Sequence, residues 1–216
     1  MPQRDDEPPS DRTRSPYSQG PKVRRATHRD VEVLAGVLTR AFYDDPVAIF
    51  MIPSGKRRLR ALAKFYRIML VKQYLSFGEV WTTDDLAGAA LWAPPNKPPP
   101  TLRDLLYLLP VLPQFLGPST VAALRLIARI DAKRPKVEHW YLSTLGTDPS
   151  SQGRGVGSAL LNEVLSRCDE AGMPAFLESS KESNVPFYAR HGFDVTGEIH
   201  APRQGPTLYL MSREPC

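Results

Sequence analysis

Apolar side chains recur along this chain with two alternating periods. Val31, Leu34, Ala35, Leu38 and Phe42 fall three or four residues apart after Thr27, the spacing of one helix face. Asp44-Asp45-Pro46 reads as the end of that helix. A second helix is expected over residues 55–74. Leu59, Leu62, Ala63, Tyr66, Met69 and Leu70 share its inner face, and Lys56, Arg60, Lys64 and Arg67 form a solvated outer one. Residues 78–83 and 86–93 read as a hairpin turning at Asp84-Asp85. Its second strand is almost wholly apolar, which predicts burial on both faces and an interior place in a sheet. Residues 139–147, 175–179, 193–199 and 207–212 read as further strands, the last two as a hairpin, and residues 23–26 as a short first strand. Between them, residues 155–171 form an amphipathic helix stopped by Gly172 and Pro174, and residues 184–190 a short one. Helical and extended segments are thus mixed, with strand–helix–strand at the centre, so the fold class is α+β (mixed α/β).

Composition bounds the organisation. The chain has 216 residues, enough for one sizeable core and short for two domains. Residues 1–22 are expected to be a disordered tail, because their first twenty hold four prolines and seven charges and almost nothing apolar. Residues 23–216 then form a single domain. Five prolines within residues 94–100 make a stiff connector into a Pro-rich and helical insertion, residues 95–135. Twenty of its residues, 105–124, carry no charge, but Pro110, Pro113, Gly117 and Pro118 break them, so short helices packed on the core are expected rather than a membrane span. A helix over residues 121–130 follows and ends at Lys133-Arg134-Pro135.

The net charge of +5 favours anionic partners, yet the excess is spread along the chain and no aromatic-interleaved basic patch supports a nucleic-acid partner. No apolar run follows Met1, and there are two cysteines, so a cytoplasmic protein without disulfides is expected. Cys168 falls on the inner face of its helix and reads as a core thiol. No His, Cys and carboxylate spacing points to a metal.

The densest signal is the passage from residue 142 to 158. A strand runs through Leu145, Gly146 and Thr147 into a turn, then Gln152-Gly153-Arg154-Gly155-Val156-Gly157-Ser158 opens a helix. Glycines strip side chains from the approach to the backbone. Free N–H groups and the helix dipole can then hold an anion such as a pyrophosphate. The dinucleotide fingerprint fails because these glycines are spaced two apart, and the P-loop fails because no lysine follows Gly157.

Gln152–Gly157 resembles the pyrophosphate motif of the GNAT acyl-CoA N-acetyltransferases, Q/R-x-x-G-x-G/A. The segment from Asn184 through Val185-Pro186-Phe187-Tyr188 to Phe193 resembles a later segment of the same family. His139-Trp140-Tyr141-Leu142 and Pro174-Ala175-Phe176-Leu177-Glu178 are similar to its puromycin N-acetyltransferase-like branch. The strong resemblance covers residues 137–213, the coenzyme-binding and catalytic half. It implies a GNAT-type splayed mixed β-sheet with helices on both faces and acetyl-CoA as cosubstrate between two parting strands. It further implies backbone contacts from Leu145, Gly146 and Thr147 to the pantetheine arm, and pyrophosphate binding by Gln152, Gly153, Arg154, Gly155, Val156, Gly157 and Ser158. Asn184 would contact the coenzyme or cap its helix.

Transfer to an alkyl amine requires loss of a proton that costs about 4–5 kcal/mol at neutral pH. The leaving thiolate then needs one. The resemblance puts Tyr188 beside the coenzyme thiol, where a phenol protonated at pH 7 can act as general acid. Glu178 is the first candidate for the base; Glu138, His139 and a water chain remain open. The expected reaction is direct acetyl transfer to a primary amine of a small molecule. The alternatives are a protein N-terminal or lysine acetyltransferase and a non-catalytic acyl-CoA-binding module. A monomer or homodimer, with neither nucleic-acid nor membrane partner, completes the expectation.

Overall fold

A computed structural model describes residues 20–95, 97 and 120–216 of the chain. Most of the expected tail, and the uncharged stretch as far as residue 119, lie outside the described residues.

Strand β1 (Val23–Arg25) leads through a 3₁₀ turn into helix α1 (Val31–Ala41). Helix α2 (Pro46–Met51) follows where only a stop was expected. Asp45 explains it: its Oδ1 accepts from the Val47 and Ala48 N–H groups at 2.9 and 3.1 Å, and Pro46 starts the first turn. The same three residues that end one helix cap the next.

Helix α3 (Gly55–Met69) continues through a π-helical turn (Leu70–Tyr74) and a final α turn (Leu75–Phe77). Strands β2 (Val80–Thr83) and β3 (Gly88–Ala93) form the expected hairpin, and every residue of β3 is buried. Then come α4 (Thr120–Lys133), β4 (Trp140–Thr147), α5 (Val156–Glu170), β5 (Ala175–Ser179), α6 (Val185–Ala189), β6 (Asp194–His200) and β7 (Thr207–Arg213).

The strands make one seven-stranded sheet in the order β1-β2-β3-β4-β5-β7-β6. Only β4 and β5 run parallel, joined by α5; every other neighbouring pair is antiparallel. The β6–β7 hairpin folds back so that β7, not β6, lies beside β5.

Two cores form because both faces are covered. Leu34 and Leu38 of α1, with Tyr66, Leu70 and Tyr74, pack on Leu91, Tyr141 and Phe176. On the other face Leu160, Leu161, Val164 and Cys168 of α5 pack on Trp92, Leu142 and Leu177. Gly146 lets α1 approach: a Cβ there would lie 2.7 Å from Leu38 Cδ2. Buried Glu79 fixes α5 against the sheet edge. It accepts from Trp81 Nε1 at 3.0 Å and from Arg167 at 2.6 Å, so its charge is compensated. Among the described residues no helix is long and apolar enough to cross a membrane.

Candidate active site

Strands β4 and β5 pair only through Trp140↔Ala175, Tyr141↔Phe176 and Leu142↔Leu177. Beyond Leu142 they part. On its other edge β4 stays paired to β3, but the register shifts between Leu91↔Thr144 and Trp92↔Leu142, leaving Ser143 as an extra, bulged residue. A bulge bends its strand, here at the position where β4 leaves β5.

The gap holds a cavity of about 580 Å³. Ala41, Phe42 and Asp45 wall it from one face of the sheet, and Val156, Phe187 and Tyr188 from the other. The cavity therefore passes between the two cores. Leu145, Gly146 and Thr147 of β4 line it, with their backbone free of a strand on the β5 side.

The N-terminus of α5 closes one end. Gly155 is its N-cap with φ 79°, a left-handed conformation that strains any residue with a Cβ. The first intrahelical bond runs from Ala159 N–H to Gly155 O at 3.0 Å, so the N–H groups of Val156, Gly157 and Ser158 have no partner one turn back. No acidic residue occupies the first turn. Gln152, Gly153, Gly155, Val156, Gly157 and Ser158 all line the cavity. Arg154 does not; between two left-handed glycines its side chain is exposed. Asn184 lines the cavity and makes no side-chain cap bond to α6, so of its two expected uses only contact with a guest is left open to its amide.

Tyr188 sits on the α5 face, in edge-on contact with Phe187 (5.1 Å between centroids) and Phe193 (6.0 Å). Burial pushes its ionisation well above the usual phenol range, and its hydroxyl has no hydrogen-bond partner among the described residues. It is a protonated donor facing a cavity.

Glu178 lies on the opposite face, two residues along β5 from Phe176. Its side chain is 8% exposed. Oε2 accepts from the Tyr141 hydroxyl at 2.7 Å, while Oε1 is 3.7 Å from Arg134 Nε. Burial raises its carboxyl to about 6 from an ordinary 4.5, with Arg134 and the Tyr141 bond holding it down. Of the other candidate bases, Glu138 is exposed and His139 turns its Nδ1 to Val137 O at 2.7 Å; neither lines the cavity. Among the described residues no three His, Cys, Asp or Glu side chains come together as a metal site. Cys168 is buried and its thiol is pushed up to about 12, which removes it as a nucleophile.

Asp45, Tyr74, Arg134 and Tyr141 had no place in the sequence-based site. Asp45 Oδ2 accepts from the Ser180 hydroxyl and Lys181 pairs with Asp44 at 2.9 Å, tying the α1–α2 turn to the loop after β5. Asp45-Pro46 fits a helix start as well as the helix end read from the sequence, and the other three carry no local signal.

A parted pair of parallel strands thus carries a helix N-terminus at one end and a phenol and a carboxyl on opposite walls. The family model described as Acetyltransferase (GNAT) family matches residues 41–193, and the chain belongs to that family. It is 28% identical over 205 residues to an uncharacterized N-acetyltransferase of Schizosaccharomyces pombe, covering 89% of this chain and 83% of that one. A Corynebacterium glutamicum structure described as histone acetyltransferase HPA2 and related acetyltransferase superposes with a TM-score of 0.70 at 27% identity, over 92% of this chain and 98% of that one. Arylalkylamine N-acetyltransferase 2 from Aedes aegypti shares the fold, with a TM-score of 0.58 at 13% identity over 89% of this chain and 98% of that one.

Proposed function

We propose that this chain moves an acetyl group from acetyl-CoA to the primary amine of a small molecule by direct attack. The observation that carries the reading is the cavity through the sheet, with Tyr188 on one wall and Glu178 on the other. The residues at the α5 end fit a pyrophosphate: three unpartnered N–H groups, a favourable dipole and no competing carboxylate. The open edge of β4 from Ser143 to Thr147 fits a pantetheine arm hydrogen-bonding as an added strand. The amine nitrogen forms the new C–N bond at the thioester carbonyl as the C–S bond breaks. Glu178, directly or through a water, takes the proton the nitrogen loses. Tyr188 gives its proton to the sulfur as negative charge develops there. Acid and base on opposite faces keep the two proton transfers apart.

The small-amine acceptor rests on the resemblance of residues 139–142 and 174–178 to puromycin N-acetyltransferases. A protein lysine acceptor is the second reading, favoured by the description of the C. glutamicum neighbour as a histone acetyltransferase. A mass-spectrometric acetylation assay on a panel of aminonucleosides, arylalkylamines and histone-like peptides separates the two. Acetylation of a small amine, with kcat falling about 10²–10⁴-fold in Tyr188→Phe, is expected. Acetylation of peptides alone, or a Tyr188→Phe variant as fast as wild type, overturns the acceptor or the acid respectively.

A further inference from the structure

We propose that Arg134, with Tyr141 and Tyr74, is the positioning group that sets the ionisation of Glu178, and through it the lower edge of the enzyme's working pH. The proposal rests on Glu178 being the base of the functional reading above.

Four buried side-chain polar atoms have no hydrogen-bond partner among the described residues, and three belong to this cluster: Tyr74 Oη, Arg134 Nε and Glu178 Oε1. Buried polar groups are ordinarily satisfied, so such a concentration marks a place kept polar for a reason other than stability. The geometry shows the reason. Arg134 lies over the Tyr141 ring, its Cζ 4.5 Å from the centroid, and donates to the Tyr141 hydroxyl at 3.2 Å. That hydroxyl donates onward to Glu178 Oε2 at 2.7 Å. Arg134 Nε and Glu178 Oε1 face each other at 3.7 Å, too far for a hydrogen bond but close enough for an ion pair. One carboxylate oxygen is thus hydrogen-bonded and the other is held by the guanidinium charge alone.

Two local irregularities converge on the same place. The π-helical turn ends at Tyr74, and the β4 bulge presents Ser143 near the Tyr74 hydroxyl, where Ser143 lines the cavity. Such distortions of regular elements gather at functional sites. The groups facing Glu178 are Arg134 and Asp131 from α4 and its end, Tyr141 from β4 and Tyr74 from the π turn. Asp131 pairs with Arg134 at 2.9 Å and opposes it weakly. Burial alone would hold the carboxyl protonated to higher pH; Arg134 is the largest influence in the other direction.

The test is the pH dependence of kcat/KM alongside an infrared titration of the Glu178 carboxyl, assigned by difference from Glu178→Gln. Wild type is expected to show a rising limb near pH 6 in both. Arg134→Met should move both to higher pH by about one unit or more, because an opposite charge is lost. Arg134→Lys should restore them, and Tyr141→Phe should move them the same way as Arg134→Met. A merely structural role would lower kcat/KM at every pH and leave the carboxyl titration where it was, and that result in both Arg134→Met and Tyr141→Phe would overturn the proposal. Persistence of the limb in Glu178→Gln would instead overturn the base assignment, while the infrared titration still decides the role of Arg134.

Discussion

Burial acts on Tyr188 and Glu178 in the same direction and leaves them in opposite protonation states at pH 7. It raises the phenol away from neutrality, so Tyr188 is always a donor; it raises the carboxyl only to about 6, so Glu178 is an acceptor at pH 7. The fold opposes the charged carboxylate, and this has a consequence for stability. A raised carboxyl is at no disadvantage in the fold below its ordinary 4.5, and it costs stability progressively as pH rises through 6. Glu178→Gln removes that dependence. The Tm of the variant, measured against wild type, should therefore improve between pH 4 and pH 8 by the equivalent of about 2 kcal/mol, the linkage of a carboxyl raised from 4.5 to about 6. A difference that is flat with pH, or that falls, would mean that Glu178 is not held in a raised state.

At the scale of the elements, helix α5 depends on its N-cap. Gly155→Val puts a β-branched side chain at φ 79°, a conformation that costs about 1–2 kcal/mol for an L residue, so the turn must shift and the N–H groups it presents to the cavity shift with it. Calorimetric titration should show acetyl-CoA affinity falling at least tenfold while the unliganded fold persists; unchanged affinity would remove α5 from the binding site. α5, β4 and β5 were legible in the sequence because their periods are clean and glycines punctuate them. Helix α2 was not, since Asp45-Pro46 satisfies the rules for a helix end and a helix start alike. The π turn left no trace, because the apolar face of α3 runs on through Leu70 and Tyr74 without interruption. Glu178 was found from its own segment. Its partners come from the end of α3, the end of α4 and β4, and nothing local links Tyr74, Arg134 and Tyr141 before the sheet is assembled. The insertion of β7 beside β5 was equally unreadable, as a hairpin pattern does not say which of its strands meets the sheet.

At the scale of the whole molecule the sheet is a partition that opens where β4 and β5 diverge. Two cores, one under α1 and α3 and the other under α5, are separated along every strand except where β4 and β5 diverge. The Asp45–Ser180 and Asp44–Lys181 contacts tie the two sides of that opening together. In the proposed reading, a molecule built this way presents a coenzyme from one face to an acceptor on the other. The most direct test is the thermal unfolding of the full chain with and without saturating acetyl-CoA. The cleft should gain roughly 2–4 kcal/mol of stability from its ligand, visible as a concentration-dependent rise in Tm that Gly155→Val abolishes. An unchanged Tm at millimolar acetyl-CoA would contradict the coenzyme site, and with it the acetyl transfer proposed for the cleft.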